Sequence, residues 1–299
     1  MGELDMVKSK KKRLMNKPRY NPVFDTLVYA IVLAVFLVTL IPILYVISVS
    51  LTPYSEIVKN GGFVLLPRKI TLDAYNEFLL DGGIWNGMWI TIKATVIGTL
   101  CNVVATMLMA YPLSRRGLPG KSMIMKMLMF TMIFSAGTIP TYLVVKGTGL
   151  LNTFWAYVIP SLISVHNLII MRVFFENLPE EIFEAARIDG CNEFNVLINV
   201  VLPMSVPILL TIAMYYAVGH WNTYMTAVLY ITDDALQPMQ VLLRRILTAA
   251  TEDVNADVIV PSESLRMAAV CFCTLPIVIV YPFIQKHFVK GTLAGAVKG

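Results

Sequence analysis

Asn177-Leu178-Pro179-Glu180-Glu181-Ile182-Phe183-Glu184-Ala185-Ala186-Arg187-Ile188-Asp189-Gly190 is polar and acidic, yet it lies between two long apolar runs, residues 154–175 and 204–231. Pro179 suits a first helical position, where its missing N–H is not needed. Glu180 and Glu181 favour the positive end of a helix dipole. Gly190 suits the position just past a helix C-terminus, where the backbone turns left-handed. A second short helix is expected from Asn192 to about Val201, before Leu202-Pro203. Residues 177–201 therefore form a helix–turn–helix elbow between two membrane spans.

On either side the pattern repeats. Residues 24–49, 88–113, 123–145 and 265–289 are also predominantly apolar, and a spanning helix needs roughly 20 such residues. The expected fold is all-α and integral to the membrane, with six transmembrane helices. Composition agrees: 57% of the 299 residues are hydrophobic and only 14% are charged, against roughly 25% charged in a soluble domain. Mean hydropathy is +0.70. Most of the surface must face lipid. Pro42, Pro140, Pro160 and Pro276 fall inside the runs, where neighbouring helices can re-satisfy the backbone. Trp85, Trp89 and Trp155 sit near expected ends, as interfacial aromatics do. The expected organisation is a basic tail at 1–23, a six-helix domain at 24–289 and a C-terminal tail at 290–299.

Basic residues orient the chain. Sixteen of the 24 Lys and Arg fall on the elbow side, seven of them in the N-terminal tail from Lys8 to Arg19. Seven lie on the other side, and Lys93 lies within a span near its outer end, where its stem can snorkel to the headgroups. By the positive-inside rule both termini and the elbow are cytoplasmic, in a multi-pass protein of the cell membrane. The net charge of +5 is thereby accounted for by orientation, and no nucleic-acid partner is expected. Ser48-Val49-Ser50 resembles a signal-peptide cleavage site, but the preceding apolar run exceeds the roughly 7–15 residues of a signal core. The first span is expected to remain.

Candidate chemistry is sparse. Cys101, Cys191, Cys271 and Cys273 have neither zinc spacing nor a CxxC pair, and behave as small reduced hydrophobes. Gly120-Lys121-Ser122 would need Gly at position 115 to wrap a phosphate, and that position is Arg. His220-Trp221-Asn222 lies deep in the fifth span, after Tyr215 and Tyr216. A lone His is a poor metal site. Two readings stay open: interhelical packing, or a solute path lined by Tyr215, His220 and Asn222. No nucleophile–base pair or carboxylate pair stands out, so no catalytic residues, metal or cofactor are expected.

The elbow is unusual for a cytoplasmic loop. Glu176, Glu180, Glu181, Glu184, Asp189 and Glu193 outnumber Arg172 and Arg187, while Ile182, Phe183, Ala185, Ala186 and Ile188 supply apolar and small surface. Such a surface suits docking into a partner's groove, or an amphipathic elbow lying on the membrane. Charge and apolarity alone leave the two even.

Glu184-Ala185-Ala186, then Gly190, then Val200 and Leu202-Pro203 resembles the EAA signature of ABC importer permeases. Asp189 before the glycine resembles the carbohydrate-uptake, maltose-type branch. Cys191 and Val200 depart from the usual Ala and Ile, both conservatively. Gly149-Leu150-Leu151-Asn152-Thr153, Trp221-Asn222 and residues 291–299 also resemble that branch, and residues 133–143 resemble a subgroup tied to complex or acidic oligosaccharides.

The resemblance implies the type I ABC importer permease fold and a role without an ATPase site of its own. It implies a heterodimer with a second permease, two ATPase subunits, an extracytoplasmic solute-binding protein and a sugar or oligosaccharide cargo. Glu184, Ala185, Ala186, Asp189 and Gly190 would form the coupling helix that docks in an ATPase groove. The outer loop at 232–264 would meet the binding protein, and the C-terminal tail the ATPase dimer. Permeases for amino acids, peptides or phosphate share the elbow but fewer landmarks. An ion-coupled transporter would show inverted repeats and intramembrane acids, and neither is evident in the sequence.

Overall fold

The computed structural model describes residues 22–80, 82–115, 117–248 and 262–296, with side chains described as far as Pro282. Most of the expected basic tail, residues 249–261 of the outer loop and the last three residues lie outside the described residues. All regular structure among the described residues is helical.

The first helix, α1 (Pro22–Ser50), is followed by two short ones, α2 (Tyr54–Lys59) and α3 (Asp73–Leu80), and by the long α4 (Gly82–Ser114). Thr71 precedes α3, and its hydroxyl accepts from the Asp73 N–H at 3.1 Å. Next come α5 (Lys121–Ile133), α6 (Thr138–Gly147), two 3-10 turns within Phe154–Ser161, and α7 (Val165–Glu176). The elbow contains α8 (Glu180–Ile188) and leads into α9 (Glu193–Met204). The chain ends with α10 (Val206–Trp221), α11 (Met225–Tyr230), α12 (Met239–Thr248) and α13 (Glu263–Ala296).

Three helices are long and apolar enough to cross a bilayer: α1, α4 and α13 as far as Pro282. Three more spans arise only as bent pairs. α5 meets α6 at 118°, the Phe154–Ser161 segment meets α7 at 55°, and α9 meets α10 at 84°. Six spans are thus accounted for, but 123–145, 154–175 and 204–231 are not the straight helices that their apolar runs suggest. The breaks have local causes. Gly137 takes a φ of 85° between α5 and α6, and Ser164, extended at ψ 122°, separates the 3-10 turns that hold Pro160 from α7. Pro203 lacks an N–H and crowds the carbonyl one turn back. The preceding turn, Leu197–Val201, widens into a π-helix, and Ser205 and Pro207 then start α10 in a new direction.

α4 is the central helix, packed by α7, α10 and α12. Gly87, Thr91, Ala94, Gly98, Asn102, Thr106 and Ala110 are all buried on it. They recur every three or four residues, so they form one seam of small and polar side chains that lets neighbours approach closely. A Cβ on Gly87 would stand 2.6 Å from Leu242 Cδ1 of α12. α1 instead exposes almost its whole length, as a lipid-facing helix does, and buries only Ser48, Val49 and Ser50. Those three are the residues of the cleavage-like motif, and they pack into the protein. Trp85, Trp89 and Trp155 are exposed, and Lys93 Nζ sits 5.0 Å from the centre of the Trp89 ring. All four cysteines are free thiols.

Candidate functional site

The elbow folds back on the end of α4. Its first helix starts one residue later than the sequence suggests, with Pro179 as the N-cap at ψ 132° rather than as the first helical residue. Its end matches expectation. Gly190 takes a φ of 78°, its N–H donates to the Arg187 carbonyl, and the Cys191 N–H donates to the Ala186 carbonyl, each at 3.0 Å. That pair of bonds is the Schellman closure, which uses a left-handed residue to satisfy the last carbonyls. Asn192 Oδ1 then accepts from the Asn195 N–H at 2.8 Å and caps α9.

α8 divides into an inward and an outward face. Phe183 and Ala186 are buried and join Tyr111, Leu113, Met171, Phe175, Val196 and Leu197 in one apolar cluster. Glu181, Glu184, Ala185 and Ile188 are exposed, and Ile188 is 86% so. These four occupy positions i, i+3, i+4 and i+7, a single helical face. The adjacent alanines of the motif therefore do different things. Ala186 seats the helix on the membrane domain, and Ala185 leaves the outward face low.

The acids divide the same way. Glu176 accepts from Lys121 at 2.7 Å and Arg172 at 2.6 Å. Glu180 meets Arg115 at 3.4 Å, and the same guanidinium lies 3.8 Å from the centre of the Phe183 ring. Glu193 accepts from the Tyr111 hydroxyl and from Arg187, the latter at 3.2 Å. The Tyr111 bond, with help from Arg187 and against partial burial, holds the Glu193 carboxyl below the usual carboxylate range. Glu181, Glu184 and Asp189 are exposed, and among the described residues no hydrogen bond or ion pair engages their carboxylates. Half of the acidic excess thus fastens the elbow to the body, and half faces outward. Sequence reading alone did not separate them, because the partners at 111, 115 and 121 are distant in sequence.

The three residues considered for a solute path do not share a surface. Tyr215, on α10, and Asn222, its C-cap seven residues on, are exposed and lie on one face together with Val218 and Gly219. His220 is turned inward. It is 6% exposed, its Nε2 lies 3.2 Å from Asn102 Oδ1, and Asn102 Nδ2 donates to the Ser161 carbonyl at 2.7 Å. A Cβ on Gly98 would come within 2.5 Å of the His220 ring. Tyr216, the neighbour not singled out from sequence, hydrogen-bonds Thr106 at 2.7 Å and accepts from the Ser164 N–H at 2.9 Å. Of the two readings for His220, interhelical packing is the one its surroundings match. His220–Asn102 and Tyr216–Thr106 together supply the partners that the broken fourth span needs in an apolar medium.

A further feature escaped the sequence reading. The break at residues 134–137, between α5 and α6, is exposed along its whole length. α5 has 13 residues, or about 20 Å of helix, short of the roughly 30 Å of a hydrocarbon layer. Backbone left open inside a hydrocarbon layer needs another subunit or a watery cavity to satisfy it. Gly137 beside Pro140 was the available signal.

Among the described residues no cluster of His, Cys, Asp or Glu is placed to hold a metal ion.

A family model described as "Binding-protein-dependent transport system inner membrane component" matches residues 14–293. The chain is 42% identical over 285 residues to the polygalacturonan/rhamnogalacturonan transport system permease protein YtcP of Bacillus subtilis (strain 168), covering 93% of this chain and 99% of that one. It is 41% identical over 290 residues to Protein LplC of the same organism, covering 95% and 98%. Among solved structures, a bacterial ABC transporter involved in the import of the acidic polysaccharide alginate contains a chain that superposes with a TM-score of 0.83 at 31% identity. That match covers 91% of this chain and 100% of the other.

Proposed function

Because this chain belongs to the family of inner membrane components of binding-protein-dependent transport systems, a permease family without an ATPase site of its own, we propose that it forms half of an ATP-driven importer of oligosaccharides. In this reading it pairs with a second permease, and each of the two permeases is switched by an ATPase subunit. A soluble receptor delivers cargo on the extracytoplasmic side.

The observation that carries the proposal is the outward face of α8. Glu181, Glu184, Ala185 and Ile188 form an acidic and apolar stripe with no partner among the described residues, on a helix whose other face is packed into the membrane domain. Exposed Ile188 and unpaired acids together suit a groove that offers apolar contact and basic or N–H donors. Asp189 and Gly190 end the helix sharply, so the docking element stays short. ATPase closure would draw the two coupling helices together, and the Arg115–Phe183 and Tyr111–Glu193 contacts would pass that motion to α4. The result is rigid-body alternating access. Tyr215, Asn222 and the exposed break at 134–137 are the proposed lining of the path between the permeases, while His220 holds α10 to α4. Both termini and the elbow are assigned to the cytoplasm, with the basic tail at 1–23 and the C-terminal tail at 290–299 flanking the membrane domain of 24–289.

The cargo class rests on the relatives. YtcP is named for polygalacturonan and rhamnogalacturonan, and the structural neighbour imports an acidic polysaccharide. Oligosaccharides carrying uronic acids are the class to test first.

Gly190→Val is the direct test of coupling. A β-branched residue at a φ of 78° is strained, by roughly 1–2 kcal/mol for the left-handed region. Uptake should be abolished while the protein stays at wild-type levels in the membrane. Normal uptake by the variant, or uptake driven by an ion gradient with no ATPase bound, would overturn the proposal.

A further inference from the structure

Residues 231–239, where α11 gives way to α12, have little regular structure, yet side chains from four distant positions hold their backbone. Asn86 Nδ2 donates to the Ala235 carbonyl at 2.7 Å, and the Tyr157 hydroxyl donates to the Leu236 carbonyl at 2.8 Å. The Met239 N–H donates to the Thr91 hydroxyl at 2.8 Å. Asn152 does the most. Its Oδ1 accepts from the N–H groups of Thr232 and Asp233 at 2.6 and 3.0 Å, and its Nδ2 donates to the Thr232 hydroxyl at 2.6 Å. Its own N–H donates to the Tyr230 carbonyl at 2.9 Å.

Asn152 makes these bonds from a φ of 57°, the one positive value at a non-glycine among the described residues. Asn is among the few side chains that tolerate this conformation, and it can hydrogen-bond locally there. The turn it holds exposes Thr232, Asp233, Asp234 and Ala235. The Asp233 carboxylate caps the Ala235 N–H at 2.9 Å, and Arg245 braces Asp234 at 3.0 Å. Exposed loops ordinarily carry conformational freedom that a partner must remove on binding; this one has little left to lose.

Its position matters as well. Asn86 and Thr91 lie near the start of α4, whereas Tyr111 and Arg115, which hold the elbow, lie at its other end. The 20 residues from Thr91 to Tyr111 make about 30 Å of helix. The turn and the coupling elbow therefore sit on opposite faces of the membrane.

We infer that Asn152 is a positioning residue that presents residues 232–235 as a preformed docking knuckle for the extracytoplasmic solute-binding protein. This inference rests on the importer reading above, and the test separates the two. The assembled transporter is reconstituted in lipid nanodiscs, and ATP hydrolysis is titrated with the purified solute-binding protein. Hydrogen exchange at the Thr232 and Asp233 amides is followed in parallel. Asn152→Gly keeps the left-handed backbone and removes the three side-chain bonds. It should speed exchange at those two amides about tenfold or more, and raise the half-maximal concentration of binding protein about five- to tenfold. Hydrolysis without binding protein, and the maximum at saturation, should not change. Asn152→Asp retains the acceptor oxygen and should recover most of the shift.

Unchanged exchange in Asn152→Gly, or an unchanged half-maximal concentration with a lower maximum, would overturn the inference. If Asn152→Gly does not assemble, Thr232→Val, which removes only the hydroxyl partner, must give a smaller shift in the same direction, and no shift counts against the role. If the binding protein does not stimulate the wild-type complex at all, the importer reading has failed instead, and the exchange data still judge the positioning.

Discussion

The Arg115 guanidinium, one residue past the end of α4, lies 3.8 Å from the centre of the Phe183 ring on the buried face of α8. One cation covers an aromatic that is itself 2% exposed, and the same group reaches Glu180 at the start of α8. The elbow is therefore held to the end of the central helix by packing and charge at once.

Arg115→Ala tests that linkage. The partly desolvated cation–π contact is worth about 0.5–2 kcal/mol, and the half-exposed Glu180 pair adds at most about 1. Hydrogen exchange across residues 180–188 should increase and uptake should fall severalfold, with membrane insertion intact. Arg115→Lys should restore part of each. Full uptake in Arg115→Ala would show that the elbow transmits motion by another route.

The two adjacent alanines should respond oppositely. Ala185 is exposed and Ala186 is buried in the cluster under α8. Ala185→Leu should leave thermal stability within about 0.5 kcal/mol and reduce co-purification of the ATPase subunit at least tenfold. Ala186→Leu overfills a packed site, at about 1–3 kcal/mol, and should lower the melting temperature first. Equal stability losses in the pair would contradict the division of faces.

At Gly98 the constraint is space. An added Cβ would approach His220 Nε2 to 2.5 Å, and that ring is buried and bonded to Asn102. Gly98→Ala should destabilise the protein by about 1–3 kcal/mol, measured by thermal unfolding in detergent. Adding His220→Ala should recover part of that loss. A double variant no better than the sum of the singles would place the clash elsewhere.

Tyr215 and Tyr216 are neighbours with different tasks. Tyr216→Phe leaves the buried Thr106 hydroxyl and the Ser164 N–H without their partner, at about 1–3 kcal/mol. Tyr215→Phe, on the exposed face, should not change stability measurably and should instead raise the KM for oligosaccharide uptake. Stability changes of similar size in both would remove the distinction.

Apolar runs of spanning length, the asymmetry of Lys and Arg and the left-handed stop at Gly190 were legible from residue order. Each depends on length, local propensity or composition, and these survive without knowing what packs where. The three breaks were only partly legible. Pro140, Pro160 and Pro203 mark where a helix can fail, but whether it bends depends on whether neighbours satisfy the freed backbone. Tyr216 and Asn102 do this for the fourth span, from helices whose contact no local pattern reveals.

The same limit governed the elbow. Its sequence by itself determined that an acidic helix of about three turns would form between spans and end at Gly190, because caps and dipole preferences act within one turn. Only the tertiary structure decided that Glu176, Glu180 and Glu193 are held by Lys121, Arg115 and Tyr111, and that Glu181, Glu184 and Asp189 are left facing outward. It likewise turned Ala186 in and Ala185 out, and His220 in while Asn222 stayed exposed. One residue along a helix is a rotation of about 100°, so which side chain meets a partner is settled by where the neighbouring helix lies.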